Sequence, residues 1–455
     1  MAVPVTIMAE QFDNARRTLV VGLGETGLSV ARYLTRRGVP VAVVDSRTRP
    51  PGLERLRCDE LADVALFLGE FSDEAFAHAE QIVVSPGVSL AEPQIAAAQA
   101  RGVQVIGDIE LFAQAARAPV IAVSGSNGKS TVVTLLSAMA RRAGVDVRTG
   151  GNIGTPALDL IEDTEPDLYV LELSSFQLES VHSLQLMAGV VLNVSADHMD
   201  RYASLADYAA AKQVIYNSAA LQVVNADDPL VAALVDSNKP QIRFTLGAPD
   251  GHEYGLAQLE DVTWLVRGNE PLMPATALKL AGQHNMGNAL AALALGEAAG
   301  LPQAAMLETL AEFRGLPHRM QFVTEQAGVR WYNDSKGTNV GATLAAITGV
   351  DGPVVLIAGG DGKGADFSAL APALAGKGRG VVLIGRDAPL LATILGDVLP
   401  IRQAGDMTEA VQQAAAMAVA GDSVLLSPAC ASTDMYRNYI ERGETFTRAV
   451  QEVLG

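Results

Sequence analysis

Seven residues, Gly125-Ser126-Asn127-Gly128-Lys129-Ser130-Thr131, follow an apolar run at 120–123 and precede an apolar stretch with helical spacing at 132–140. Glycines let successive backbone N–H groups converge on a phosphate. Lys129 adds positive charge, and Ser130 or Thr131 offers a hydroxyl to magnesium. Strand, glycine loop and helix in this order predict a nucleoside triphosphate site at a helix start. The general P-loop has four residues between its first glycine and Gly-Lys, whereas Gly125 leaves two. The shorter loop is therefore judged on its context. A plain Gly/Ser/Asn turn does not call for Lys-Ser-Thr at a helix start.

Further groups with chemistry lie at the ends of apolar runs. Glu172 closes the buried-looking strand 168–172, where a P-loop protein places a metal-binding carboxylate. The stretch 193–202, NVSADHMDRY, sets His198 between two aspartates after another apolar run. Ser204 and Asp207 read as a helix-capping pair for a helix reaching about residue 217. Lys212 lies in that helix and on periodicity alone is an ordinary helix lysine. His318-Arg319 and the loop 333–339, NDSKGTN, place cations where a triphosphate or an acyl group being phosphorylated concentrates negative charge. Asp334 suits a ribose hydroxyl or the positioning of Lys336. Gly22, Gly24 and Gly27 form GxGxxG after a strand, and Asp45 ends the next strand. That pattern serves NAD, the uridine diphosphate of another nucleotide, or only helix–sheet packing.

Three alternating strand–helix regions must position these groups, so the fold class is α/β with three domains: 1–107, 108–315 and 316–455. The first is Rossmann-like, with strands at 18–21, 41–45 and 81–85 and a helix at 29–37. The second is a P-loop-type mononucleotide-binding sheet with strands at 168–172 and 189–193 and loops or short antiparallel strands within 246–276. The third is again Rossmann-like, with strands at 329–332, 354–357, 381–384 and 424–426. Ligands in such sheets sit at the carboxyl ends of strands.

A formal charge of −18 argues against a broad basic face for nucleic acid or an anionic membrane. Anionic substrates must then be met by local cations, and lysine is scarce, 7 residues against 26 arginines. Two widely separated cysteines, Cys58 and Cys430, offer neither metal spacing nor a disulfide framework. A reduced cytoplasm is the expected compartment. The N-terminal segment shows no secretory leader, and no apolar run approaches the length of a spanning helix. Two readings are open on these residues: a dehydrogenase built on the first region, and a P-loop regulatory NTPase.

GSNGKST, GGNIGTP, LELSSFQLE, NVSADHMDRY, GQHNMGNALAA, LPHR, NDSKGTN, GGDGKGADF and LLSPACAS, in this order over about residues 20–440, resemble the Mur ligases. The SSFQLE and SPACAS segments point to a D-glutamate-adding member over its siblings. The resemblance implies ATP-dependent carbon–nitrogen bond formation in peptidoglycan synthesis, with release of ADP and phosphate. The implied substrates are UDP-N-acetylmuramoyl-L-alanine and D-glutamate, and the implied cofactors are ATP and two magnesium ions. It implies ATP contacts at Gly125, Ser126, Asn127, Gly128, Lys129, Ser130, Thr131, Asn285, Asn288, Arg319, Asp334 and Lys336. Metal ligands would be Ser130, Glu172, His198 and Lys212, the last carbamylated by carbon dioxide into an anionic group that hard magnesium accepts. The UDP substrate would be held by Gly24, Glu25, Thr26, Asp45, Ser46, Arg47, Gly87, Asn152, Ser174, Gln177 and His198. Glutamate and the reacting groups would be held by His318, Thr338, Lys363, Ser432, Thr433 and Tyr439. The family usually carries leucine and phenylalanine at 433 and 439. The catalytic set is then Lys129, Lys212, His198, Glu172, His318 and Lys336, in a monomer that uses neither nucleic acid nor membrane insertion. A folate polyglutamate ligase is the rival inside the same superfamily.

Overall fold

The computed structural model describes residues 17–58, 61–280 and 282–455. The reading of residues 1–16 as lacking a leader lies outside the described residues. The chain divides into two compact units, residues 1–120 with 147–186, and residues 121–146 with 187–455.

In the first unit, β1 (Thr18–Val21), β2 (Val41–Asp45), β3 (Ala65–Leu68), β4 (Gln81–Val84) and β5 (Gln104–Gly107) form a parallel sheet in the order β3-β2-β1-β4-β5. The inner strands β1 and β4 are buried at every residue. Helices cover both faces of such a sheet, so near-continuous valine and leucine runs suit it better than alternation. Strand order reverses at β1, which opens a crevice at its carboxyl end beside Gly22-Leu23-Gly24. The following helix is Glu25–Arg36, starting four residues before the expected Ser29. Gly24 is its N-cap and the apolar spacing begins only at Leu28, so the first turn carries no periodic signal. A Cβ on Gly27 would lie 1.9 Å from Gly22 O, so the third glycine is what lets helix and strand approach.

Strand β6 (Val120–Ser124) carries the chain into the second unit. The chain returns to the first as β7 (Val147–Gly151) and β8 (Leu168–Glu172), a parallel pair in which Gly151 lies opposite Glu172.

In the second unit, β9 (Leu186–Val191), β10 (Ala219–Asn225), β11 (Gln241–Phe244), β12 (Tyr254–Leu259), β13 (Val262–Arg267) and β14 (Glu270–Pro274) run in the order β14-β13-β12-β11-β10-β9-β6. The last three are antiparallel neighbours, as the loop-rich composition of 246–276 suggests. The strand expected at 189–193 stops at Val191. Leu192 N still bonds Ser124 O at 2.9 Å, and Asn193 then turns toward the glycine loop. Helix Lys129–Arg142 packs on helices Gln283–Ala298 and Gln303–Glu312. The alanine- and leucine-rich middle of Gln283–Ala298 is buried on all sides, as an all-round apolar helix should be. The helix expected from Ser204 to about 217 is two, Leu205–Lys212 and Val214–Ser218. Ser204 Oγ accepts from Asp207 N at 3.1 Å as its cap.

The same unit holds a second sheet. Strands β15 (Gln321–Gln326), β16 (Val329–Asn333), β17 (Val354–Gly359), β18 (Gly378–Ile384), β19 (Ile401–Gln403) and β20 (Ser423–Leu426) are ordered β15-β16-β20-β17-β18-β19. Alternate residues serve opposite faces. Leu356, Leu383 and Leu425 join one core, whereas Val355, Ile357, Val382 and Leu426 join another with Trp331 and Phe446. Each such burial contributes roughly 1.5–3 kcal/mol. The loops leaving the carboxyl ends of β16, β17 and β20 carry Asp334–Asn339, Lys363 and Ser432.

Candidate active site

In the second unit the glycine loop is braced by the segment that follows β9. Ser126 N donates to Asn193 O (2.9 Å), Asn127 N to Asn193 Oδ1 (2.8 Å), and Ser195 N to Ser126 Oγ (3.0 Å). Gly128, at φ +87°, is the N-cap of helix Lys129–Arg142, and a Cβ there would sit 2.4 Å from Asn288 Oδ1. Only glycine accepts both that backbone and that neighbour. Asn288 is held in turn by Nδ2 donating to Asn285 Oδ1 at 3.0 Å. Lys129 Nζ donates to Gly125 O (2.7 Å) and Ser126 O (2.9 Å), so its charge lies over the loop. Arg319 Nη2 donates to Ser130 Oγ at 2.7 Å.

A cavity of about 240 Å³ opens on this loop. Its lining includes Asn127, Gly128 and Thr131 from the loop, Asn285 and Asn288 from the packed helix, Arg319 from the turn before β15, and Asp334 and Lys336 from the loop after β16. Eight residues expected to hold ATP thus converge from four separate stretches of chain. Asn225, Asp227 and His284 line it too and were not expected. The carboxyl-end rule applied to β10 would have found Asn225 and Asp227. His284 gives no local signal; burial pushes its imidazole down to about 4, so it stays neutral.

Asp334 is buried at the cavity wall, 7% exposed. Burial pushes its carboxyl up to about 7 against the opposing bonds from Ser427 Oγ (2.7 Å) and Met320 N (3.1 Å). Its partners are therefore Ser427 and Met320, while Lys336 Nζ lies 4.0 Å over the Tyr439 ring. His318 faces that ring edge-on at 6.3 Å, and Asn333 Nδ2 lies 3.1 Å from its Nδ1. An amide nitrogen can only donate, so Nδ1 accepts and the proton sits on Nε2. Burial also lowers the pKa of His318, which favours the neutral ring. Lys363 N bonds Asp361 Oδ1 (3.1 Å), and Asp361 pairs with Ala431 through two backbone bonds, which ties the Lys363 loop to the Ser432 loop. Ser432 is buried and Thr433 exposed. Arg442, buried and also missed, donates to Ser335 O (2.8 Å) and Cys430 O (3.1 Å), joining the loops after β16 and β20.

Lys212 is 1% exposed. Its Nζ lies 3.4 Å from Gly125 O and 4.2 Å over the Tyr208 ring, with no ion-pair partner among the described residues. Burial, aided by the Lys129 charge, holds its pKa well below the ordinary lysine value. His198 N donates to Asp197 Oδ1 at 3.0 Å. Burial lowers the imidazole's pKa, with Lys363 and Lys129 adding to the effect against Asp197. No group of three or more His, Cys, Asp or Glu side chains forms a metal cluster among the described residues. The second unit offers a hydroxyl, a neutral imidazole and a buried amine. Only a carbamate on that amine would supply the hard anionic oxygen that magnesium requires, and with it the donor set would fit the ion. His198, His318 and Lys363 all have left-handed backbones, at φ +57°, +61° and +52°. Non-glycine residues in that region mark sites where the surroundings impose the conformation.

The first unit holds the remaining expected residues. Asp45 Oδ2 accepts from Leu23 N (2.7 Å), and both its oxygens accept from Arg47. Burial would raise its pKa, but the Arg47 guanidinium and the two backbone N–H groups outweigh it and hold the carboxyl below its usual range. Glu25 pairs with Arg55 at the helix start. Gly24, Ser46 and Gly87 lie in the turns at the ends of β1, β2 and β4, and Thr26 lies in the first turn of helix Glu25–Arg36. Asn152 Nδ2 donates to Glu172 Oε1 at 2.8 Å, fixing a carboxylate that is 3% exposed. Ser174 caps the short helix Ser175–Leu178 in a capping box with Gln177, and Gln177 Nε2 donates to Asp108 Oδ2 at 3.2 Å. Burial pushes Asp108 up to about 6.

Comparison with known proteins places these motifs. The Mur ligase MurD-like N-terminal domain matches residues 16–107, the Mur ligase middle domain 123–296, and the Mur ligase glutamate ligase domain 318–430. Proteins named UDP-N-acetylmuramoylalanine–D-glutamate ligase are similar over nearly their whole length. That of Nitrosococcus oceani is 57% identical, covering 97% of both chains. That of Methylococcus capsulatus is 51% identical, covering 97% of this chain and 96% of its own. Among solved structures, UDP-N-acetylmuramate-alanine ligase of Thermotoga maritima shares the fold, with a TM-score of 0.60 at 19% identity over 96% of this chain and 99% of its own. MurF of Acinetobacter baumannii does so with a TM-score of 0.60 at 18% identity over 96% and 90%. The architecture is therefore three α/β domains, and the chain belongs to the Mur ligase family.

Proposed function

We propose that the chain joins D-glutamate to UDP-N-acetylmuramoyl-L-alanine in peptidoglycan synthesis, driven by ATP. The observation that carries the reading is the cavity on the glycine loop, where Gly128, Asn285, Asn288, Arg319, Asp334 and Lys336 converge. The identity to ligases of that name, 57% and 51% in the two relatives above, supports the choice of substrates.

A carboxylate is a poor electrophile, so it must be activated. The γ-phosphoryl group of ATP passes to an oxygen of the L-alanyl carboxylate; that O–P bond forms as the bond to the β-phosphate oxygen breaks, and ADP leaves with the electron pair. The amine of glutamate then attacks the acyl carbon, loses a proton, and phosphate departs from the tetrahedral centre. Backbone N–H groups of 125–131, Lys129 and Arg319 face the growing negative charge. Asn285, Asn288 and Asp334 hold the nucleoside. His318, with its proton on Nε2, donates to a glutamate carboxylate, and Thr338, Lys363, Ser432, Thr433 and Tyr439 complete that pocket. In the first unit, Gly24, Glu25, Thr26, Asp45, Ser46, Arg47 and Gly87 take the uridine diphosphate end, and Asn152, Ser174 and Gln177 the muramoyl peptide.

Ser130, His198 and carbamylated Lys212 of the second unit, and Glu172 of the first, are the proposed magnesium ligands, for two ions. Magnesium would supply charge neutralisation of the triphosphate and of the developing oxyanion. The domain division proposed is 1–107 for the UDP substrate, 108–315 for ATP and 316–455 for glutamate together with ATP. The protein is proposed to act as a cytoplasmic monomer without nucleic acid, which a net charge of −18 supports. No helix among the described residues is long and apolar enough to cross a membrane.

Phosphate release measured with ATP, UDP-N-acetylmuramoyl-L-alanine and D-glutamate, omitting each in turn, tests the reading. Release must require all three. Release without the nucleotide sugar supports a plain NTPase and contradicts it, and L-glutamate matching D-glutamate contradicts the stereochemical part.

A further inference from the structure

Asn339 ends the NDSKGTN segment, and none of the functional sets above includes it. It is 6% exposed and sits at the N-terminus of helix Val340–Gly349, where its Oδ1 accepts from Ala342 N at 2.8 Å. That bond is an ordinary helix cap. The other half of the amide does something else. Asn339 Nδ2 donates to Asp197 Oδ2 at 3.0 Å, and it also lies 3.3 Å from Asn127 Oδ1, while Asn127 Nδ2 reaches back to Asn339 Oδ1 at 3.3 Å. A carboxylate only accepts, so Asp197 fixes which end of the Asn339 amide faces it. Three segments far apart in sequence thus meet at one side chain: the glycine loop through Asn127, the His198 loop through Asp197, and the turn that carries Lys336 and Thr338. The approach is close. A Cβ on Gly341, two residues on, would lie 2.8 Å from Ser195 Oγ.

We propose that Asn339 is a positioning residue, which sets the Lys336–Thr338 turn against the glycine loop and the His198 loop and so aligns the attacking amine with the activated carboxyl group. The proposal rests on the ligase reading above. Serine and aspartate at 339 would cap the helix as asparagine does, but neither can donate to Asp197 through an amide. The capping role and the aligning role are therefore separable by substitution.

The test is steady-state kinetics and thermal unfolding of Asn339→Asp and Asn339→Ser in the full chain. With alignment lost, kcat falls about 10- to 100-fold, as expected for a small misplacement of reacting groups. The melting temperature stays within about 3 °C, because the cap survives. In the pair Asn339→Asp with Asp197→Asn, donor and acceptor are exchanged, and kcat recovers relative to Asn339→Asp alone. Wild-type kcat in both single variants overturns the proposal, as does a loss of kcat that only follows a loss of melting temperature. If Asn339→Asp does not fold, Asn339→Ser decides alone by the same criteria. A wild-type enzyme that releases no phosphate with all three substrates would instead refute the ligase reading.

Discussion

Arg319 Nη2 donates to Ser130 Oγ at 2.7 Å, so the hydroxyl proposed for magnesium is already held by a cation from the turn before β15. If Ser130 is a magnesium ligand as proposed, the guanidinium and the ion would meet at one oxygen. Arg319 would then be free to turn donors to phosphate, an exchange that its planar fork suits.

Replacing Arg319 by lysine keeps the charge and loses the fork. Arg319→Lys is expected to lower kcat/KM for ATP by about 10- to 100-fold, equivalent to the roughly 1.5–3 kcal/mol of a charge-assisted hydrogen bond. Steady-state kinetics with the melting temperature measured alongside checks this; wild-type kinetics would remove Arg319 from the phosphate site.

Lys212 has no ion-pair partner among the described residues, and burial favours its neutral amine, the form that adds carbon dioxide. Lys212→Ala is expected to be folded and inactive, and to regain part of its activity with added acetate or formate, whose carboxylate occupies the carbamate's place. Circular dichroism and turnover with and without the acid check this. No rescue in a folded variant, with no carbon dioxide adduct on wild type by mass spectrometry, would count against the carbamate.

Asp108 has a folded pKa of about 6 against an ordinary 3.8, because burial disfavours its charge. A raised carboxyl pKa means the folded state binds the proton more tightly. The stability from this group is therefore fully present below 3.8 and is lost as pH rises through about 6. One group contributes at most about 1.4 kcal/mol per pH unit. Asp108→Asn should flatten that part of the decline in denaturant midpoints between about pH 4 and about pH 7. Asp334, at about 7, acts in the same direction and persists in the variant. An unchanged slope in Asp108→Asn would contradict the assignment.

Gly443 lies in the last helix, where alanine would ordinarily stabilise by about 1 kcal/mol. Here an added Cβ would come within 2.3 Å of His318 Nδ1. Gly443→Ala is expected to displace His318 from Asn333 and to raise the KM for D-glutamate by about tenfold or more. The KM for ATP should change little. A glutamate KM equal to wild type would take His318 out of the glutamate pocket.

Much of the site was legible because its signals are local. Gly125–Thr131 sits between a strand and a helix, and Glu172, Asn333 and Ser427 stand at or next to strand ends. Burial runs and turn residues mark such places directly. Boundaries drifted where cap and periodicity part company, as at Glu25, four residues before the apolar spacing shows itself. Asn339 and Arg442 escaped for another reason. Each bonds a partner distant in the chain, Asp197 for Asn339 and Ser335 for Arg442, and neither spacing nor composition reports such a pairing. Lys212 shows both sides: periodicity makes it an ordinary helix lysine, the family resemblance singles it out, and its burial beside Gly125 and Tyr208 gives that a physical reason.

The central claim is that a triphosphate on the 125–131 loop hands its terminal phosphoryl group to a carboxylate of the UDP-linked acceptor. Synthesising the acceptor with heavy oxygen in its terminal carboxylate and following the label by mass spectrometry tests this directly. One labelled oxygen per turnover should appear in the released phosphate, because the bond that breaks on amide formation is the carboxyl carbon–oxygen bond. Phosphate free of label, with the amide formed at the normal rate, would contradict the account.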